Sequence, residues 1–214
     1  MKKCKSDDNH SQADSQIQTT KTQAAFKLVA IAASAGGLNA ISQVLSNLSS
    51  DFPAAIAIVQ HLDPNHRSLM AEILRRRISL QIKQAEAGDM IRPGWIYIAP
   101  PNQHLVVKAD DTFTLSESET VNYVRPAADV LFDSAATQYG KKAIAVVLTG
   151  TGKDGVKGVE AISQQGGTVI VQDRETSEFF GMPEAAIQTG VVDLILPLSK
   201  IASTLVELVR GDSK

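Results

Sequence analysis

The sequence predicts an α/β fold: a doubly wound, mostly parallel sheet flanked by helices, with a small antiparallel hairpin excursion. Two observations carry this. Short apolar runs of strand length alternate with segments whose apolar residues recur at helical spacing. In the middle of the chain that alternation gives way to short runs separated by turn-forming Pro, Gly, Asn and Asp.

Residues 1–24 stand apart from the rest. Only Met1, Cys4, Ala13, Ile17 and Ala24 are apolar there, too few to bury, and the segment reads as a disordered polar tail. About 190 residues remain, the size of one domain with a sizeable core. That domain spans 25–211, and 212–214 form a short C-terminal tail.

The first strand is expected at 26–33, FKLVAIAA. Leu38, Ile41, Leu45 and Leu48 then mark a helix. A second strand follows at 54–59, and a second helix at 68–77 with Leu69, Ile73 and Leu74 on one face. Short strands are expected at 81–83, 94–98, 104–108 and 113–115, the last two as a hairpin. Trp95 and Tyr97, at alternate strand positions, read as packing residues. Parallel logic resumes with a helix at 126–139, Pro126 in its first turn. Then come a strand at 143–148, a helix at 155–164, a strand at 168–171, a short helix at 183–188, a strand at 192–195 and a last helix at 199–209.

Composition narrows function only by exclusion. The chain is 43% hydrophobic and 21% charged, with 21 Lys+Arg against 23 Asp+Glu. A net charge of −2 lacks the basic excess of a nucleic-acid binder. The single cysteine, Cys4, allows no intrachain disulfide. The lysines near the N-terminus are not followed by an apolar signal core. No apolar run approaches bilayer length, so stable membrane insertion is not expected. The expected location is the cytoplasm.

In an open parallel sheet, ligands bind beyond the carboxyl ends of the strands. The first predicted strand leaves through Ser34-Ala35-Gly36-Gly37, the second through Gln60-His61, and the one at 143–148 through Thr149-Gly150-Thr151-Gly152-Lys153-Asp154. A serine, a histidine and an aspartate thus leave the same sheet edge, the inventory of a Ser-His-Asp hydrolase. A nucleophile on a tight strand-to-helix turn needs small neighbours, and Ala35 and Gly36 supply them. His61 is placed to act as base and Asp154 to fix its tautomer. Backbone N–H groups near Thr151 are candidate oxyanion donors.

Other readings stay open on these residues alone. Ser34 and Asp154 would each serve as helix N-caps, and His61 as a satisfied buried histidine. A phosphate loop is excluded, because Asp154 stands after Gly152-Lys153 where Ser or Thr is required, and Val147 where Gly is required. Ser34-Ala35-Gly36-Gly37 fails the dinucleotide-binding spacing. A metal set of His61, Asp63 and His66 is poor, with its histidines five apart across Pro64. Arg75-Arg76-Arg77 reads as a solvated helix end whose cations complement the dipole.

Six segments resemble the chemotaxis receptor methylesterase family, the CheB type. They are IAASAGGLNAI at 31–41, VQHLDPNHRSLMAEIL at 59–74, AEAGDMIRPGWIYIAPPNQHL at 85–105, VRPAADVLFDS at 124–134, VVLTGTGKDGVKG at 146–158 and FFGMPEAAI at 179–187. The resemblance implies a carboxylic ester hydrolase, a protein-glutamate methylesterase acting on γ-glutamyl methyl esters of chemoreceptor cytoplasmic helices. It also implies a capacity to deamidate particular receptor glutamines. Ser34 would be the nucleophile, His61 the base and Asp154 its orienting acid, with backbone support from Ala35, Gly36 and Thr151. No cofactor is required. The partner implied is a methyl-accepting chemotaxis receptor. Two positions depart from the family pattern: Ala35 stands where many members have threonine, and Thr151 where methionine is common. Residues 1–24 cannot hold the receiver domain typical of the family, so activity without that brake, or control by a separate regulatory protein, is expected. An esterase for another protein or a small ester, and a catalytically silent module of a sensory complex, are the alternatives.

Overall fold

The computed structural model describes residues 26–61 and 68–211. In chain order the elements are β1 (Lys27–Ala33), α1 (Gly37–Ser46), β2 (Ala54–Gln60), α2 (Met70–Arg75), β3 (Gln81–Gln84), β4 (Trp95–Ile98), β5 (His104–Val107) and β6 (Phe113–Ser116). They continue with α3 (Ala128–Tyr139), a 3-10 turn (Gly140–Lys142), β7 (Ala143–Val147), α4 (Val156–Gln164), β8 (Thr168–Gln172), α5 (Gly181–Ile187), β9 (Leu194–Leu196) and α6 (Leu198–Arg210). Seven strands form one sheet in the order β3-β4-β2-β1-β7-β8-β9, with every pairing parallel. Strands β5 and β6 form the separate antiparallel hairpin. The doubly wound sheet and its hairpin excursion are therefore as predicted, with β3 and β4 belonging to the parallel sheet.

Chain direction reverses at the centre of the sheet. From β1 the chain winds to β2 on one side, and from β7 to β8 on the other. Helices α1 and α4 consequently lie on opposite faces, which opens a crevice at the carboxyl ends of β1 and β7.

Strand alternation sorts the core into two layers. Val29, Ile31, Ile56 and Ile58 pack under α1, α2 and α6. Leu28, Ala30, Ala32, Ala55 and Ala57 face α3, α4 and the hairpin. The alanines leave room for Phe132 and Tyr139 of α3, both fully buried. Towards the β3 edge, Trp95 stacks on Tyr97 at 6.2 Å between ring centroids, and Tyr97 meets Phe113 of the hairpin at 5.0 Å. Tyr97 is buried as a packing residue, and its hydroxyl donates to Met90 O at 2.6 Å.

Two local expectations need correction. Helix α2 buries Met70 and Leu74, while Leu69 and Ile73 are 56% and 43% exposed. Both pairs are spaced four apart, and a six-residue helix turns only one of them to the sheet. Pro126 lies before α3, not in its first turn. Ala127 is extended and donates its N–H to Nδ1 of the buried His104 at 3.1 Å, which delays the first helical residue to Ala128. Arg75, Arg76 and Arg77 are exposed at the end of α2 as expected, and the Arg75 guanidinium also donates to Ile82 O at 3.0 Å, which ties α2 to β3.

Candidate active site

Ala33 and Gln60 are the last register partners of β1 and β2, so Ser34 and His61 leave the sheet side by side. Backbone bonds hold both in place. His61 N donates to Ala33 O at 3.1 Å, and Ser34 N donates to Thr149 O, beyond β7, at 3.1 Å. Gln60, 6% exposed, donates its side-chain amide to Ser34 O at 2.8 Å and to His61 O at 3.1 Å. One buried amide thus ties the serine and histidine segments together.

The turn after Ser34 is tight. Gly36 has φ of +75°, a conformation that favours glycine, and it precedes α1 as its N-cap. No side chain caps this helix, so Ser34 is not engaged as a cap. Gly37 packs against Gln60, and a Cβ there would collide with Gln60 Oε1. Gly150, opposite, would place a Cβ 2.9 Å from that of Ser34 and into Met182 Sδ.

Asp154 is 4% exposed and its carboxylate is fully used. Oδ2 accepts from His61 Nε2 at 2.8 Å and from the Ala128 N–H. Oδ1 accepts from Asp129 N at 3.3 Å and from Asn122 Nδ2 at 3.1 Å. Asp154 is thus a helix cap of a kind, but for α3, while the N-cap of the adjacent α4 is Gly155. Ala128 and Asp129 open α3, where free N–H groups and the dipole favour an anion. Burial alone would raise the Asp154 carboxyl. The hydrogen bond from His61, the Ala128 amide, the imidazole charge and the Asn122 amide outweigh it and hold the group below the usual carboxylate range. An ionised carboxylate only accepts, so Nε2 of His61 carries the hydrogen and Nδ1 presents a lone pair.

A second acid lies behind the first. Asp129, 6% exposed, accepts from Gly158 N at 2.8 Å and from Asn122 Nδ2 at 2.8 Å. Burial raises its carboxyl, and the nearby Asp154 charge adds to that.

The loop after β7 is clamped by Phe179 and the first turn of α5. Gly150 N donates to Phe179 O at 2.9 Å, Met182 N donates to Gly150 O at 2.9 Å, and Phe179 N donates to Thr149 Oγ1 at 2.9 Å. Thr149 N donates to Oε1 of the fully buried Gln172, at the end of β8, at 2.8 Å. Thr151 follows Gly150 and is exposed. Beside His61 opens a cavity of about 210 Å³, whose wall includes Asn102, Tyr123 and Arg125. Arg125 is committed to that wall, donating to Asn102 Oδ1 at 2.7 and 3.0 Å and to the carbonyls of Glu117 and Ser118.

The structure therefore brings Ser34, Ala35, Gly36, His61, Thr151 and Asp154 to one edge of the sheet. Asp63 and His66 lie outside the described residues. Gln60, Asn122, Asp129, Thr149 and Gln172 were not singled out from sequence. For Gln60, Thr149 and Gln172 a signal existed: each is a polar residue closing or following an apolar strand.

A family model for CheB methylesterase matches residues 29–205, a span that contains all three candidate triad residues. The chain belongs to the CheB methylesterase family. A Thermotoga maritima protein-glutamate methylesterase/protein-glutamine glutaminase is 43% identical over 198 residues, covering 91% of this chain and 58% of the relative. A Leptospira interrogans protein named for the same two activities is 40% identical over 183 residues, covering 86% of this chain and 95% of the relative. The crystal structure of the Thermotoga maritima CheB methylesterase catalytic domain matches with a TM-score of 0.85 at 43% identity, covering 87% of this chain and all of that one. The chain thus spans 58% of its Thermotoga relative's length but nearly all of the Leptospira one. This CheB-family fold contains, among the described residues, no helix long and apolar enough to cross a membrane.

Proposed function

We propose that the chain is a serine hydrolase that removes methyl groups from γ-glutamyl methyl esters on the cytoplasmic helices of methyl-accepting chemotaxis receptors. The observation that supports this best is the 2.8 Å His61–Asp154 contact next to Ser34 at the sheet's switch point, in a chain of this family. Ser34 Oγ attacks the ester carbonyl while Nδ1 of His61 takes its proton. The developing oxyanion is met by the backbone N–H groups of Ala35 first, then Gly36, and by that of Thr151. His61 returns the proton to the departing methoxide, and methanol leaves. Water, deprotonated by His61, then attacks the glutamyl ester of Ser34 and frees the receptor carboxylate and the serine. The same cycle run on a glutamine amide releases ammonia, so deamidation of receptor glutamines belongs to the same chemistry. No step calls for a cofactor.

Asp154 contributes by position and charge. Its ionised carboxylate holds the hydrogen on Nε2 and stabilises the imidazolium that forms at each step. Ala35 lacks the hydroxyl of the common threonine, and the proposed donor at that position is the backbone amide, which the substitution keeps.

The test is methanol release from a methylated chemoreceptor cytoplasmic fragment, with wild type and Ser34→Ala side by side. Release by the wild type that vanishes in the variant is the expected result. A folded wild type that releases no methanol from this substrate overturns the receptor assignment. Release from a general panel of esters alone would point to a different ester, and none from either would point to a binding module.

A further inference from the structure

We propose that Asn122 is a positioning residue that locks the Asp154 carboxylate against His61. The inference deepens the catalytic reading of Ser34, His61 and Asp154 and rests on it. Asn122 lies outside every strand and helix, 32 residues from Asp154, in a turn between β6 and α3. Val121 and Val124 exchange backbone hydrogen bonds at 3.1 and 3.0 Å, so Asn122 and Tyr123 form a two-residue loop. Their φ values of +52° and +65° mark it as the left-handed type I′ turn.

The turn aims one amide at two acids. An Asn NH2 group has two hydrogens, and here it contacts Asp154 Oδ1 at 3.1 Å and Asp129 Oδ2 at 2.8 Å. Asp129 is itself held from α4 by the Gly158 N–H. Asn122 therefore anchors the oxygen of Asp154 that does not face His61. With Oδ1 held by Asn122 and Asp129 N, rotation of the carboxylate would break bonds on both sides, and Oδ2 stays on the imidazole.

The amide also separates like charges. The groups that face it are Asp154 from the loop after β7, Asp129 from α3, and His61 across Asp154 from β2. Removing a donor common to both carboxylates disfavours their ionised forms. The carboxylate that must stay ionised for catalysis then protonates at higher pH than before.

Turn preference alone would also select asparagine at this position, so the test must separate the two roles. Asn122→Gly does so, since glycine is at least as well suited to φ of +52° and offers no side-chain amide. Methanol release from the methylated receptor fragment is followed against pH. A positioning role predicts a folded variant with kcat lowered about ten-fold, within the range of one hydrogen bond to a charged group. KM stays near the wild-type value, and at the low-pH end of the profile, where the Asp154 carboxylate protonates, turnover is lost at a higher pH than in the wild type. Asn122→Asp keeps the size and the tolerance of positive φ but has no hydrogens to give when ionised. It is expected to lose at least as much at neutral pH. A folded Asn122→Gly with wild-type kcat and an unmoved low-pH loss of turnover overturns the inference and leaves Asn122 as a turn residue. Asp154→Asn and Ser34→Ala run alongside separate the two levels. If they retain activity, the triad reading itself falls; if they abolish it while Asn122→Gly does not, only the positioning role falls.

Discussion

Ser34 shares a wall with Gly150, and that wall has no slack. An added methyl at 150 would press on both Ser34 Cβ and Met182 Sδ. Gly150→Ala is expected to destabilise the fold by about 1–3 kcal/mol, the usual cost of overpacking. It should also lower kcat by displacing the nucleophile. Urea unfolding and turnover on the same preparation check both; a fully stable, fully active variant would mean that Met182 yields. At this scale the sequence was legible where a chemical side chain leaves a strand end, as Ser34, His61 and Asp154 do. It was not legible where a side chain acts through distant carbonyls or carboxylates. Gln60 reaches a carbonyl 26 residues away, and Asn122 a carboxylate 32 residues away. No local periodicity encodes such a partner.

Among the elements, the 121–124 turn carries its own strain. Tyr123 holds φ of +65° with its side chain 98% exposed. Left-handed backbone costs a non-glycine residue about 1–2 kcal/mol. Glycine's greater freedom when unfolded takes back about 0.5–1 kcal/mol. Tyr123→Gly is therefore expected to raise stability by about 0.5–1 kcal/mol, since an exposed ring loses little packing. Thermal unfolding is the check, and a lowered midpoint would show that the ring packs usefully at the cavity mouth. Element identities were otherwise readable, because strands with both faces covered are continuous apolar runs. Boundaries and faces were less so. Spacing alone does not choose the buried face of α2, because Leu69/Ile73 and Met70/Leu74 are equally spaced, and the choice between them is made by the sheet.

Over the whole molecule, two cores back one sheet, and the alanine-lined face depends on large residues from α3. Phe132 is fully buried there and lies against Gly158 of α4. Phe132→Ala is expected to cost about 3–5 kcal/mol, a large part of a typical domain's total stability. It should also loosen the start of α3, whose amides hold Asp154. Chemical denaturation measures the first effect, and loss of turnover below the unfolding midpoint the second. The sheet order was only partly foreseen. A parallel, doubly wound arrangement follows from alternating elements, but that β3 and β4 extend it beyond β2 is settled by long-range pairing. The lone tryptophan adds a practical corollary. Trp95 sits at the amino end of β4, one position before the Ile96–Ile56 register pair and so six positions before His61, or roughly 20 Å down the sheet at about 3.3 Å per residue. Intrinsic fluorescence would therefore follow the assembly of the β4–hairpin edge while staying nearly blind to events at Ser34, so a dye or a second indole near the cavity mouth is needed to watch a substrate arrive.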